Sequence, residues 1–418
     1  MLQRASTLRV LALSAGSRDR CAQRKRNMLQ DRASMGFGRH CFDEEHEAYR
    51  DAFRKFLQRQ VAPNLRQWER DGFFPAELFA EAGKSGLLCP GIPTEYGGGG
   101  GDLRHQVVLH EEYCYLPGGA ALEAGLTTDF TSYCFLNNGT EDQRREWLPQ
   151  MASGEQIIEI AMSEADAGSD VQGTKSYAVR DGDDYILDGR KMWISNGPIL
   201  TSILVLAKTR GPDDRDSFSM FIVPVDTPGV THIGPTELLL RSAGGVSEFY
   251  FDSVRLPAQS LLGGIEGKGL KAALSLMTLG RVCTSGRAMA TSELALSLTI
   301  DYVKERKAFG QRVADFQNTQ FQLATCYADL VAGRALTDSA IAKLAAGTLS
   351  DVDAASAKYF TTEAEWRILD TCLQMHGGTG FGNDHPLSKM WTLGRVHRVY
   401  GGTSEIMRAM IARQLLRD

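Results

Sequence analysis

Four stretches of the chain combine residue types that chemistry needs. Met162 to Asp170 (MSEADAGSD) is a run of small and hydrogen-bonding residues. A loop of that composition lets backbone N–H groups close on a polar ligand. Lys191 to Gly197 (KMWISNG) sets a flat aromatic before two polar side chains and a turn. Glu305 to Gln311 (ERKAFGQ) is a basic helix end running into a glycine, which suits a phosphate or pyrophosphate. Leu373 to Phe381 (LQMHGGTGF) and, further on, Tyr400 to Glu405 (YGGTSE) carry glycines that would let helix ends approach a cofactor. Taken singly, each stretch is more often structural than functional. Their occurrence together, in this order, is the informative feature.

The elements that must position them follow from periodicity. From Asp43 to about Met151 the pattern is helical. Tyr49, Phe53, Phe56 and Leu57 share one face of the segment Glu47 to Val61, which Pro63 closes. Phe74 to Leu87, Leu103 to Tyr115 and Ala120 to Leu136 repeat the pattern. Gly97 to Gly101 is a loop, not a dinucleotide fingerprint, because no βαβ unit surrounds it. Between about Ile157 and Leu262 the period changes. Runs at Tyr185, Ile203, Phe218 and Glu248 read as short strands between Gly, Asp and Pro turns. From Gly269 onward long helical stretches return: Asp301 to Phe309, Phe316 to Leu344 and Ser350 to Met375. Helices, strands, helices is not the alternation of a doubly wound sheet.

Composition narrows the classes. The chain has 418 residues, so two or three domains are expected. A net charge of −5 argues against nucleic acid as a partner. No apolar run approaches the roughly 20 residues of a membrane span, so membrane insertion is not expected. The eight cysteines are scattered, with no C-x-x-C pair and no H-E-x-x-H elsewhere; His110-Glu111-Glu112 lacks the second histidine. Reduced, mostly buried thiols and no metal site are expected. Residues 1–40 are Arg-rich and acid-poor. They read as an extension upstream of Met28 or Met35 in a bacterial cytoplasmic protein, or alternatively as a transit peptide to the mitochondrial matrix.

All four stretches, with Asp102-Leu103 and Asn137 to Leu148, resemble the acyl-CoA dehydrogenase family over about Phe42 to Leu416. The resemblance implies an α+β fold: an N-terminal all-α domain (41–156), a central β-barrel (157–262) and a C-terminal four-helix bundle (263–418), usually a homotetramer. It implies FAD as cofactor, an acyl-CoA substrate, and an electron-transferring flavoprotein as acceptor. Met162, Ser163, Gly168 and Ser169 would line the flavin, with Ser169 toward the thioester arm. Trp193, Ile194 and Ser195 would pack on and bond to the isoalloxazine ring. Arg306, Phe309 and Gln317 would reach the FAD of a neighbouring subunit. Gln374, Gly377 and Gly378 would hold its pyrophosphate and adenosine side. Thr403, Ser404 and Glu405 would close the site, with Gly402 facing substrate and Arg281 contacting the CoA portion.

The chain departs from the family pattern at the base. The family reaction removes an α-proton from the thioester with a glutamate at one of two points, which here are Gly280 and Gly401. Glycine cannot abstract a proton. Ala165-Asp166 replaces a usual Pro-Gly, and the loop Arg241 to Glu248 is unusually glycine-rich. Glu123 is the candidate substitute, sharing a helical face with Thr127 and Phe130; a solvated surface charge is the plainer reading of it. Three functions stay open: a dehydrogenase with a relocated base, a thioester flavoprotein with elimination or oxygen-dependent chemistry, and a non-catalytic subunit that binds FAD and acyl-CoA.

Overall fold

The computed structural model describes residues 39–116, 119, 125–126, 129–210, 216–239 and 242–417. Cys41 onward forms one compact unit. Its first part is helical: α1 (Glu44–Phe56) continuing as a π turn through Val61, α2 (Leu65–Asp71), α3 (Glu77–Lys84), α4 (Leu103–Tyr115), α5 (Asp129–Asn138) and α6 (Glu141–Ser153). The strands follow: β1 (Ile158–Ala161), β2 (Tyr177–Asp181), β3 (Asp184–Ile194), β4 (Ser202–Arg210), β5 (Asp216–Pro224), β6 (Val230–Ile233) and β7 (Ser247–Pro257). The last part holds α7 (Gly269–Ser275), α8 (Met277–Glu305), a hairpin of β8 (Lys307–Ala308) and β9 (Gln311–Arg312), α9 (Gln317–Ala345), α10 (Asp351–His376), α11 (Pro386–His397) and α12 (Ser404–Leu415).

β1 to β7 form one seven-stranded sheet in the order β1-β4-β2-β3-β7-β6, with β5 on the other edge of β4. β4 shows why its sequence is apolar without a break. Ile203, Val205 and Ala207 join the cluster that contains Phe53, Phe79 and Leu109. Leu204 and Leu206 point the other way, into the cluster of Phe135, Val282 and Ile341. Successive side chains of a strand alternate between faces, so a sheet covered by helices on both sides needs both parities apolar. Each such fully buried side chain contributes about 1.5–3 kcal/mol.

Two expectations change. The helix expected over Ala120 to Leu136 is interrupted: Gly125 and Leu126 form a turn with Gly125 at φ 55°, and α5 begins only at Asp129. That backbone conformation favours glycine and ends a right-handed helix. Glu123 and Thr127 lie outside the described residues, as do Arg241 and the extension before residue 39. The helix expected over Asp301 to Phe309 stops at Glu305 and gives way to the β8–β9 hairpin. Seven of the cysteines are buried free thiols, and Cys21 lies outside the described residues. No helix among the described residues is long and apolar enough to cross a membrane.

A buried charge network joins the first helices to the last. Glu111 on α4 accepts from Arg50 (3.0 Å) on α1 and from Arg334 (3.0 Å) on α9. Glu112 accepts from Arg50 (3.1 Å) and Arg54 (2.9 Å). Arg334 also donates to Glu293 (2.7 Å) on α8. Removing one member of a buried network leaves its partners desolvated beside a missing charge. Glu111→Gln is expected to lower unfolding free energy in urea by about 3–5 kcal/mol. Glu47→Gln, at the exposed end of the same network, should change it by less than about 1 kcal/mol.

Candidate active site

The loop after β1 is tied down by a buried ion pair. Glu164 accepts from the Lys191 ammonium (2.7 Å), the backbone N–H groups of Lys175 (2.6 Å) and Ser176 (3.0 Å), and the Ser176 hydroxyl (2.6 Å). Lys191 is fully buried, and it also donates to the Met162 carbonyl at 3.1 Å. Met192 N–H donates to the Ser163 carbonyl at 2.9 Å. Burial alone would raise the Glu164 carboxyl; Lys191, Ser176 and the Lys175 N–H outweigh it and hold the group below the usual carboxylate range. Burial pulls the Lys191 ammonium down, with Glu164 opposing. The pair stitches Met162 and Ser163 to the end of β3.

There the backbone is strained in a useful way. Register with β7 slips between Lys191 and Ile194, and Trp193 takes φ 63°. Its indole is turned out, 53% exposed, between the half-buried Met192 and the buried Ile194. Asn196 is also left-handed (φ 57°), held by donation from its amide to Glu159 (2.9 Å) and to the Gly125 carbonyl (3.3 Å). Gly197 has no room for a side chain, since a Cβ there would meet Ser247 at 2.2 Å. Left-handed residues that carry side chains cost about 1–2 kcal/mol each and gather at functional sites. The result is a flat apolar surface beside the half-buried Ser163 and Ser195. Ile194 differs from the expectation: it is 2% exposed and faces the core, so only its main chain is available to a ligand.

A second cluster lies at one end of the helical bundle. Tyr302 stacks on His376 with centroids 4.2 Å apart, which sets the ends of α8 and α10 side by side. Arg306, Gln317, Gln374, Gly377 and Gly378 are all exposed there. Phe309, at φ 50° in the hairpin turn, is 97% exposed and touches Phe316 edge-on. A Cβ added at Gly377 or Gly378 would meet nothing within 4 Å, and the same holds for Gly168 in the first loop. These glycines border open space rather than a packed neighbour. One expectation is corrected here: Gly377 follows the C-terminus of α10. A helix C-terminus carries negative partial charge, so an anion beside it depends on Arg306 and on loop N–H groups, not on a dipole.

The third cluster holds Gly401, one of the two positions of the expected base. Thr403 caps α12, accepting from Ile406 N–H at 3.3 Å. Ser404 is buried and donates to Glu363 (2.7 Å), so its hydroxyl is already engaged. Glu405 is exposed; its own backbone N–H and Thr403 hold its carboxyl low, which is capping behaviour. Gly401 (φ 63°) and Gly402 (φ 95°) form a left-handed turn whose flanking carbonyls, Tyr400 and Gly402, both accept from Lys358 of α10. Lys358 is 1% exposed. Burial, and then the charge of Arg281, pull its ammonium down to about 7. Lys358 was not anticipated from sequence, although it occupies an i, i+3, i+4 stripe with the buried Ala354, Ala355, Thr361 and Thr362 that marks a core-facing position. On α10 the second and third clusters, at Gly377 and Lys358, are separated by roughly 28 Å at 1.5 Å rise per residue.

The residues fit a large flat cofactor with an anionic tail: an outward tryptophan, glycines beside open space and an exposed arginine. A further group, Glu45, His46 and His105, brings ligand atoms within 4.8 Å of one another. Its histidines accept from the backbone N–H groups of Asp43 and Asp102 at helix starts, which gives them structural work.

Profiles of the acyl-CoA dehydrogenase N-terminal, middle and C-terminal domains match residues 43–155, 159–254 and 267–416. The chain is 36% identical over 388 residues to the mitochondrial long-chain specific acyl-CoA dehydrogenase of Sus scrofa, covering 91% of this chain and 88% of that protein. It resembles the crystal structure of an acyl-CoA dehydrogenase from Geobacillus kaustophilus (TM-score 0.85, 35% identity, 91% of this chain and 100% of that one). It also resembles a glutaryl-CoA dehydrogenase from Mycobacterium smegmatis in complex with FADH2 (TM-score 0.82, 28% identity, 90% and 96% covered).

Two outcomes are expected from this geometry. Glu164→Gln leaves Lys191 buried without its counter-charge and should cost about 3–5 kcal/mol of stability, with loss of bound flavin measured by absorbance after gel filtration. Lys358 titrates at about 7 when folded against an ordinary 10.5. Between those values the unfolded chain binds more protons, so folded stability rises with pH across that window. In melting curves at successive pH values, Lys358→Met should flatten that rise; an unchanged slope would contradict the assignment.

Proposed function

The chain belongs to the acyl-CoA dehydrogenase family, whose members bind FAD, and from that premise we propose that it oxidises an acyl-CoA thioester across the α,β-bond to the enoyl-CoA. We propose an electron-transferring flavoprotein as acceptor and a homotetramer as the working form. The observation that carries the reading is Trp193, turned out of the sheet and pinned beside Ser163 by the buried Glu164–Lys191 pair.

FAD, when bound, supplies the acceptor for the hydride that leaves the β-carbon. Met162, Ser163, Trp193 and Ser195 would hold its ring system, with the Ile194 main chain beside them. Gly168 leaves room at the loop, and Ser169 would face the thioester arm. Gly402 and Thr403, at the start of α12, would close the site over the acyl group. Arg306, Phe309, Gln317, Gln374, Gly377 and Gly378 would serve the far end of the cofactor. Their distance from the third cluster along α10, and the exposure of Phe309, support a neighbouring subunit as the one they serve.

The proton is the difficulty. A Cβ at Gly280 would stand 2.7 Å from the Phe130 ring, which fills the space a side chain there would need. At Gly401 the Lys358 ammonium is the one group among the described residues within 4 Å of a Cβ, at 3.8 Å. Neither position supplies a carboxylate. Glu123 is the proposed base. The ring at Gly280 favours a second reading, in which the chain binds FAD and acyl-CoA and runs other chemistry or none.

An anaerobic panel of acyl-CoA thioesters separates these. Flavin bleaching with enoyl-CoA formed, abolished in Glu123→Gln, is the expected result. Tight binding without bleaching for every thioester would sink the dehydrogenase reading. Gly401→Glu should speed bleaching by roughly 10²-fold or more, despite the strain of a side chain at that φ. Gly280→Glu should give no gain unless Phe130 is also cut back to alanine.

A further inference from the structure

Two helices start with the same device, and a histidine is the acceptor in both. Asp43 caps α1 and Asp102 caps α4, and the third helical residues are His46 and His105. Each Nδ1 accepts from the backbone N–H of its own cap residue, at 3.1 and 3.2 Å. A glutamate or glutamine usually supplies that acceptor. The start of α6 is built that way: Gln143 accepts from the Thr140 N–H at 3.0 Å. An imidazole can accept there only while it is neutral, with its hydrogen on Nε2.

The two histidine starts are joined. The rings lie 4.2 Å apart. Nε2 of His46 donates to Asp102 at 3.1 Å, and Arg104 spans Asp102 (2.7 Å) and Asp43 (2.8 Å). His46 is fully buried and His105 is 6% exposed. The loop before α4 confines His105 further, since a Cβ on Gly101 would stand 2.6 Å from its ring. A ring so enclosed has no room to turn and present its other nitrogen.

A proton on either ring breaks its cap. The new N–H would point at the backbone N–H that the ring now accepts from. Positive charge would stand at the positive end of a helix dipole, and two charged rings would stack on each other. Among the described residues, Asp43, Glu45, Asp102 and Arg104 face the pair. The three carboxylates favour a charged ring and Arg104 opposes it. Burial, and then the charge of His46, push the His105 imidazole below its usual range despite Asp102 and Glu45. Burial alone would raise the Asp102 carboxyl; donation from Arg104 and His46 outweighs it and holds the group at about 2, so Asp102 stays ionised in mild acid. We propose that the stacked His46–His105 pair is an acid-sensitive latch that locks the starts of α1 and α4 together while neutral and releases them when protonated. A histidine freed to water titrates at about 6.5. The released segment therefore binds more protons than the folded one below that pH, so the latch holds above about 6.5 and weakens as pH falls. It is independent of the reaction at the flavin site.

The test is hydrogen exchange read by mass spectrometry on the full FAD-loaded chain, at about pH 7 and about pH 5.5, with rates corrected for the intrinsic effect of pH. Across that interval an opening that lets one imidazole gain a proton becomes about eightfold more frequent, and one that frees two becomes about 70-fold more frequent. Peptides covering the starts of α1 and α4 should lose protection by a factor in that range. The Thr140–Gln143 start of α6, which holds no histidine, should keep its protection. No loss at the histidine starts overturns the proposal, and so does an equal loss at all three. Replacing both rings, His46→Gln with His105→Gln, keeps the acceptors and removes the titration. Protection at the two pH values should then agree within about twofold, and a loss that survives overturns the proposal. Should that double variant fail to fold, His105→Gln alone should cut the acid-induced loss by about eightfold; an unchanged loss overturns it. Zinc ion that raises protection at both histidine starts at about pH 7 would overturn it as well, because metal on Nε2 would make the cluster an ion site.

Discussion

The candidate site depends on one buried ion pair. Glu164 and Lys191 come from different segments, the loop after β1 and the end of β3, and each would be costly to bury by itself. Together they fix the Met162–Ser163 backbone against β3. The Ser176 hydroxyl and two backbone N–H groups complete the carboxylate's shell. Everything downstream follows from that anchor. The strand slips register just past Lys191, Trp193 turns outward, and Asn196 closes the turn onto Glu159. The strain of two left-handed side chains is tolerated because the anchor and the doubly covered sheet hold the surroundings rigid.

Much of this was legible in residue order. The run at Ile203 to Leu206 marked a strand, and two helices of the last part, Gln317–Ala345 and Asp351–His376, sit within a residue of where their periodicity put them. The composition of MSEADAGSD and KMWISNG pointed to a ligand-facing loop and an aromatic platform. What sequence could not supply was pairing at a distance. Nothing in either stretch says that Glu164 meets Lys191, or that Lys358 reaches across to the carbonyls around Gly401. Local conflicts were missed for a different reason: Gly125 breaks an otherwise helical pattern by its φ, and the direction of α10 at Gly377 is invisible until the helix is built.

The two glycines at 280 and 401 are not equivalent. At 280 an aromatic ring has taken the vacated volume, so the position has been repacked as apolar wall. At 401 a side chain would meet, among the described residues, only the buried Lys358 ammonium.

The central claim is that Trp193 is the platform for the flavin ring, and tryptophan emission tests it most directly. Titrating FAD into the flavin-stripped chain should quench part of the emission. In Trp193→Leu that part should be absent and FAD should bind more weakly. The same quenching and the same affinity in both proteins would contradict the account.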